Sequence, residues 1–434
     1  MNVHKKGEIE HDDRIRGHCR TTQSPAYGGR ENMVSFTLRA LQQARKADFE
    51  TLSAELRECA ATDTLGTKSS EIIKEFLNDE DFHITEYGDY LGGAFTAEWG
   101  EGSPVIGFLA EFNCHPDAED GDDFRGSGRD IQTSAVMEAA VLTAEDLKRN
   151  DSEGTVVLYF CPSSRNETEK TLMADEGLFD TAEIALSWQP YTESGIIGSI
   201  PAGAEVTYTF ETEESAEEFS LLTGEISEKA GDTGNIIPDI TSSTVTCSVT
   251  AVTVPLAKKI LSLLSSEAER IAESRKESVS TMLVKACSNM IVNNTLSSVM
   301  RSNAGTLFPI SYSRDELSST TGNTSPDGVP AVSTSFREDY ITLTSPKDLG
   351  SVSRVLPTAS IAVACYTPLV EMDTAKSALQ SGSNAAMKSM HTASAVMAAT
   401  AIDAVRDPSI LEKAIEDLKW ELRLEKTEDT GKIS

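Results

Sequence analysis

No stretch of this 434-residue sequence runs apolar for the roughly 18 residues that a membrane-crossing helix needs. Met1–Arg20 is polar and mixed in charge with no apolar core, so no secretory leader is expected. Cysteine is sparse: the seven stand at positions 19, 59, 114, 161, 247, 287 and 365, an odd number without a C-x-x-C pair. That argues against a disulfide framework and for small buried thiols in a reducing, cytoplasmic setting. Histidine is scarcer: there are six, and none lies between His115 and His391. Positive charge is also short. Lys plus Arg number 38 against 69 Asp plus Glu, a net charge of −31, so nucleic acid and anionic membrane surfaces are not expected as partners.

Hydrophobic residues make up 39% of the chain, enough for a core, and the length suggests two domains. The acidic excess is spread out, with clusters at Glu119–Asp123, Glu211–Glu218 and Glu425–Asp429. Such a surface repels itself unless salt screens it, which points to a halophilic protein of a salt-rich cytoplasm. Residues 1–32 hold His4, His11 and His18 among helix-breaking glycines and read as a mobile tail rather than a metal site.

The periodicity then predicts helices over Val34–Cys59 and Ser69–Leu77. Apolar strands at Pro104–Ala110, Thr155–Cys161 and Glu183–Trp188 alternate with helices at Thr133–Leu147 and Glu167–Leu178, the pattern of a parallel sheet with crossovers. After Pro190 the texture changes. Strands are expected at Glu205–Phe210, Thr244–Val252 and Ser278–Ala286, and a helix at Pro255–Ala272. Ser318–Ser325 reads as a loop, and long helices close the chain at Ala385–Val405 and Pro408–Leu424. The predicted fold is α/β: a mainly parallel-sheet catalytic-type domain over 33–199 and 288–434, with a smaller α+β lid or dimerisation domain inserted at 200–287.

Open parallel sheets bind ligands beyond the carboxyl ends of their strands. The segments there are Glu111-Phe-Asn-Cys-His115, Pro162-Ser-Ser-Arg-Asn166 and Gln189-Pro190, with the loop Phe124-Arg-Gly-Ser-Gly-Arg-Asp130 leading into a helix. With Ala97-Glu-Trp-Gly100, Gly154-Thr-Val, Lys170, Met173, Gly177, Phe179-Asp180, Ala185-Leu-Ser-Trp188, Gly234-Asn-Ile-Ile-Pro-Asp239 and Pro346–Thr358, their order and spacing resemble the dinuclear-metal aminoacylase and carboxypeptidase family, in its branch of p-aminobenzoyl-glutamate hydrolase-like amidohydrolases.

That resemblance implies amide hydrolysis by two divalent metals, held by a Cys, three His and a Glu, with a neighbouring Glu as general base. Each of those positions differs here. Ser127 and Arg129 match the first Cys and His, Arg165 the ligand Glu, Gln189 and Met387 the remaining His, and Ser164 the general base; Asn113 replaces a nearby Asp. Arginine has no lone pair to offer a cation. No metal cofactor is therefore expected, and the function expected is that of a non-catalytic ligand-binding or interaction protein, working as a homodimer or with an active relative. Arg129 and Arg165, with Ser127, Gln189 and Asn113, form a candidate site for a small anion. The arginines could instead be satisfied internally by Asp130, Glu111 or Asp348. The competing expectation is an active amidohydrolase that cleaves N-acyl amino acid or peptide amides through a rebuilt site. Cys114, His115 and His391 could then ligate a metal, or Ser127 or Ser164 could act as nucleophile, though neither sits in a G-x-S-x-G elbow.

Overall fold

The computed structural model describes residues 31–60, 63, 66–113, 128–163, 168–321, 332–372 and 374–429. In chain order the elements are α1 (Glu31–Ala60), α2 (Thr67–Asp79), β1 (His83–Glu86), β2 (Phe95–Glu101), β3 (Val105–Asn113), α3 (Arg129–Asn150), β4 (Gly154–Ser163), α4 (Glu169–Asp175), β5 (Ile184–Tyr191) and β6 (Gly195–Ser199). There follow β7 (Ala202–Phe210), α5 (Glu213–Ala230), β8 (Gly234–Thr241), β9 (Thr244–Ala251), α6 (Val254–Arg275) and β10 (Val279–Cys287). The chain closes with α7 (Asn294–Gly305), α8 (Arg314–Thr321), β11 (Ile341–Thr342), α9 (Leu349–Val355), β12 (Thr358–Ala364), α10 (Ala375–Ser381), α11 (Asn384–Arg406) and α12 (Pro408–Asp429).

Eight strands form one sheet in the order β1-β2-β4-β3-β5-β12-β6-β11. Its centre is parallel, as β3 pairs with β4 and β5, and β5 with β12. The sheet is mixed, because β1 with β2, β2 with β4, and β6 with β12 run antiparallel. The central strands read as unbroken apolar runs because helices cover both faces. Ile106, Phe108, Val156, Leu158 and Phe160 enter the core shared with α3 and α11, while Leu109, Val157, Tyr159 and Cys161 enter the core on the opposite face. Helices α3 and α11 are buried nearly all round, and Ala135, Ala139, Ala393 and Ala398 are fully enclosed.

Four antiparallel strands form the second sheet, ordered β10-β7-β9-β8, with α5 and α6 on one face. Val206, Tyr208, Phe210, Phe219, Val249 and Leu264 fill the space between. Threonine caps open both helices: the Thr212 and Thr253 hydroxyls accept from the Ser215 and Leu256 amides.

One helix was not foreseen, and two expectations change. The acidic run Glu211–Glu218 is the start of α5, because Thr212 caps it, Glu213 and Glu214 sit in its first turn, and Phe219 and Ile226 enter the core. Part of the expected loop Ser318–Ser325 is helical through Thr321, because Ser313 and Glu316 form a capping box: the Glu316 amide donates to Ser313 Oγ and the Ser313 amide to the Glu316 carboxylate. Residues 322–325 lie outside the described residues. The expected tail ends earlier, as α1 begins at Glu31, and His4, His11 and His18 lie outside the described residues.

Candidate functional site at the carboxyl ends of the strands

Strand β3 delivers Glu111, Phe112 and Asn113 to the edge of the sheet, and α3 returns from there. Gly128 precedes α3 with φ 80°; a Cβ there would lie 2.3 Å from the Tyr366 hydroxyl and against Pro190, so the helix entrance is pressed onto β5 and the segment after β12. Gln132 locks α3 to β3, with Oε1 accepting from the Glu111 amide at 2.9 Å and Nε2 donating to the Leu109 carbonyl at 3.1 Å. Thr133 Oγ1 donates to the Glu111 carbonyl, and Trp188 Nε1 donates to the Gln132 carbonyl at 3.0 Å.

The charged centre is built on Lys170, in the first turn of α4. Its Nζ donates to Glu111 Oε1 at 2.7 Å and to Asp348 Oδ1 at 2.9 Å, and its amide donates to Asp348 Oδ2 at 2.9 Å. Asp348 immediately precedes α9, so one buried lysine joins β3, α4 and α9. Burial opposes ionisation of Glu111, but Lys170 and then Arg129 outweigh it and hold the carboxyl down at about 2. For Asp348 burial dominates and raises the carboxyl, while Lys170 works against it. Burial would discharge Lys170, but Asp348 and Glu111 raise it well above the usual lysine range, so it is an ammonium.

Arg129, half-buried, is the first residue of α3 and acts on Glu111 through its charge. Its neighbour Asp130 is taken by Arg57 of α1, whose Nε donates to Oδ2 at 2.7 Å. Asp130 and Asp348 thus have Arg57 and Lys170 as ion-pair partners, two cations that sequence reasoning did not place at the site. Lys170 stood in a matched motif, but nothing in the sequence distinguished it from a solvent-facing helix lysine. Gln189 lies in β5 opposite Ala362 and is half-buried; Met387, in the first turn of α11, packs on the main core. Asn113 ends β3. Ser127, Ser164, Arg165, Cys114 and His115 lie outside the described residues.

His391, one turn beyond Met387, joins a different cluster. Its Nδ1 lies 2.9 Å from both Glu138 oxygens on α3, and its Nε2 lies 3.6 Å from Glu50 on α1. It therefore ties three helices together. Among the described residues no three His, Cys, Asp or Glu side chains are grouped to hold a metal ion, and no helix among them is long and apolar enough to cross a membrane.

No family model matches the chain. It is 28% identical over 143 residues to a subunit of the p-aminobenzoyl-glutamate hydrolase of Escherichia coli K12, a match that spans 30% of each protein. A dinuclear metal-binding peptidase of the M20 family from Bacillus subtilis superposes with a TM-score of 0.56 at 12% identity, covering 83% of this chain and 99% of that one. The aminobenzoyl-glutamate utilization protein of Klebsiella pneumoniae gives a TM-score of 0.56 at 12% identity, covering 85% and 98%. The chain thus has the fold of the M20-family dinuclear metal peptidases, and a segment of it is similar in sequence to a subunit of a p-aminobenzoyl-glutamate hydrolase.

Proposed function

We propose that this homologue has lost metal-dependent amide hydrolysis and holds a small anion at the strand ends instead. The observation that carries the reading is the donor set. Ser127, Arg129, Arg165, Gln189 and Met387 stand where the resemblance puts the metal ligands, and Ser164 where it puts the general base. Guanidinium groups repel cations and cannot ligate them. A glutamine amide, a thioether and a hydroxyl leave no imidazole or carboxylate for Mn²⁺ or Zn²⁺. Two divalent ions do not fit this set. An anion fits better: Arg129 opens a 22-residue helix, where the backbone dipole also favours negative charge. Arg165, Ser127, Asn113 and Gln189 complete the proposed contacts, with a carboxylate or phosphate as occupant.

Tag-free protein, dialysed and assayed for Zn, Mn, Co and Ni, is expected to retain no stoichiometric metal. Calorimetric titration with acetate and phosphate is expected to show binding that Arg129→Gln and Arg165→Gln each weaken about tenfold or more. One or more metal equivalents per chain, or an anion affinity indifferent to both substitutions, defeats the reading. The same reading takes the protein as a dimer through the inserted sheet, with itself or an active relative. In its support, edge strand β10 leaves Met282 61% and Leu283 58% exposed. Light scattering in molar KCl is expected to give twice the 46.8 kDa chain mass, and a monomer counts against it.

A further inference from the structure

The chain passes between the large and small sheets twice, over residues 199–202 and 287–291. The two crossings are bonded to each other, the Met290 amide donating to the Ile200 carbonyl at 3.0 Å. The second is seated on α9: the Ser288 amide donates to Ser351 Oγ at 3.1 Å, and the Ile291 amide to Ser353 Oγ at 2.8 Å. The seat is close, because a Cβ on Gly350 would lie 1.9 Å from the Ser288 carbonyl oxygen. Asn289, between these two amides, accepts from the Val254 amide at 2.9 Å and so holds the start of α6 in the small unit.

The same helix also reaches α4, which carries the charged centre. Ser351 Oγ, which receives the Ser288 amide, also accepts from Thr171 Oγ1 at 2.8 Å. The residue before Thr171 is Lys170, and the residue capping the approach to α9 is Asp348, its ion partner. Three positions at the start of α9 therefore carry both connections: Asp348 and Ser351 toward the cleft, Ser351 and Ser353 toward the lid.

We infer that α9 is a coupling plate, through which a change in the Lys170–Glu111–Asp348 cluster alters the seating of the lid crossing at Ser288 and Ile291. An ion that competes for Glu111 or Lys170 changes the pull on Asp348. Because α9 is short and the contact with Ser288 leaves no room for a side chain, α9 moves as a unit rather than deforming. The inference does not depend on whether an anion occupies the cleft, since substitution at the cluster perturbs it equally.

The test is residue-resolved amide exchange in the full chain at high salt, comparing wild type with Lys170→Met, Thr171→Val and Arg57→Met. Thr171→Val removes the hydroxyl contact to α9 and leaves the ionic cluster intact, so it tests the α4–α9 link by itself; Glu111→Gln, which neutralises one carboxylate of the cluster, takes the place of Lys170→Met in the comparison should that variant not fold. Arg57→Met breaks a comparable ion pair that makes no bond to α9. Exchange at the Ser288 and Ile291 amides is expected to rise about tenfold in either α4 variant and to stay at the wild-type rate in Arg57→Met. Unchanged exchange at both amides in the folded α4 variants overturns the coupling. So does an equal rise in all three variants, which would mark general loosening.

Discussion

At the scale of single residues, the site is governed by Lys170, whose ammonium is enclosed by two carboxylates on different elements. Removing one member of a buried ionic cluster leaves uncompensated charge, so Lys170→Met is expected to cost about 3–5 kcal/mol of stability. Urea unfolding in molar KCl measures it, and a loss within experimental error would show that the carboxylates find other partners. His391 gives the second prediction. Burial disfavours its charged form, but Glu138 at 2.9 Å outweighs burial, with Glu50 adding and Lys46 opposing, so its folded pKa lies above the unfolded value. The stability it supplies is complete below the unfolded pKa of about 6.5 and is lost as pH rises through the folded pKa. Wild type is therefore expected to lose thermal midpoint from about pH 6.5 upward, and His391→Gln to lose less across the same window; parallel curves exclude the histidine as the source. The sequence revealed Glu111, Arg129 and Asp348 as strand-end or loop residues. It did not reveal Lys170 or Arg57, because pairing across 59 or 73 positions depends on how helices dock.

Among the elements, buried parallel strands and long helices were legible because burial on two faces leaves a continuous apolar signature. Strands β1 and β2 were not: β1 is mostly exposed and β2 carries Glu98, Trp99 and Gly100, so neither alternates cleanly. Helix α5 was hidden by its acidic first turns, which suit a helix amino terminus but resemble a solvated linker. Its anchor is Phe219, fully buried with its ring 4.8 Å from Tyr208 and 5.4 Å from Phe210. Phe219→Ala is expected to destabilise the small unit by about 3–5 kcal/mol. Exchange in β7–β9 should rise in this variant more than exchange in β3–β5. A uniform rise would show that the two units unfold as one.

For the whole molecule, the charge imbalance dominates. Arg45 pairs with Asp48, Glu80 and Glu145, in a chain that has 38 basic groups for 69 acidic ones. Self-repulsion at −31 weakens as the screening length falls from about 10 Å at 0.1 M salt to about 3 Å at 1 M. The thermal midpoint is accordingly expected to climb steadily from dilute buffer to molar KCl, and a flat profile would refute the salt-adapted reading. Overall architecture was legible because layer order follows from element order. The chemistry was less so: on the proposed reading the differing ligand positions disfavour a cation and leave the occupant of the cleft to charge and shape.

The position of β12 has a consequence for how the chain is made. This strand lies between β5 and β6 in the large sheet, yet it ends at Ala364, after the whole small unit has been spelled out. During synthesis β5 and β6 emerge early and wait, each without the neighbour that will join them. The small sheet and its two helices, contiguous from Ala202 to Cys287, have all their partners in hand before β12 appears. The inserted unit is thus complete in itself before the large sheet receives its last interior strand, and that sheet is closed around a strand delivered late.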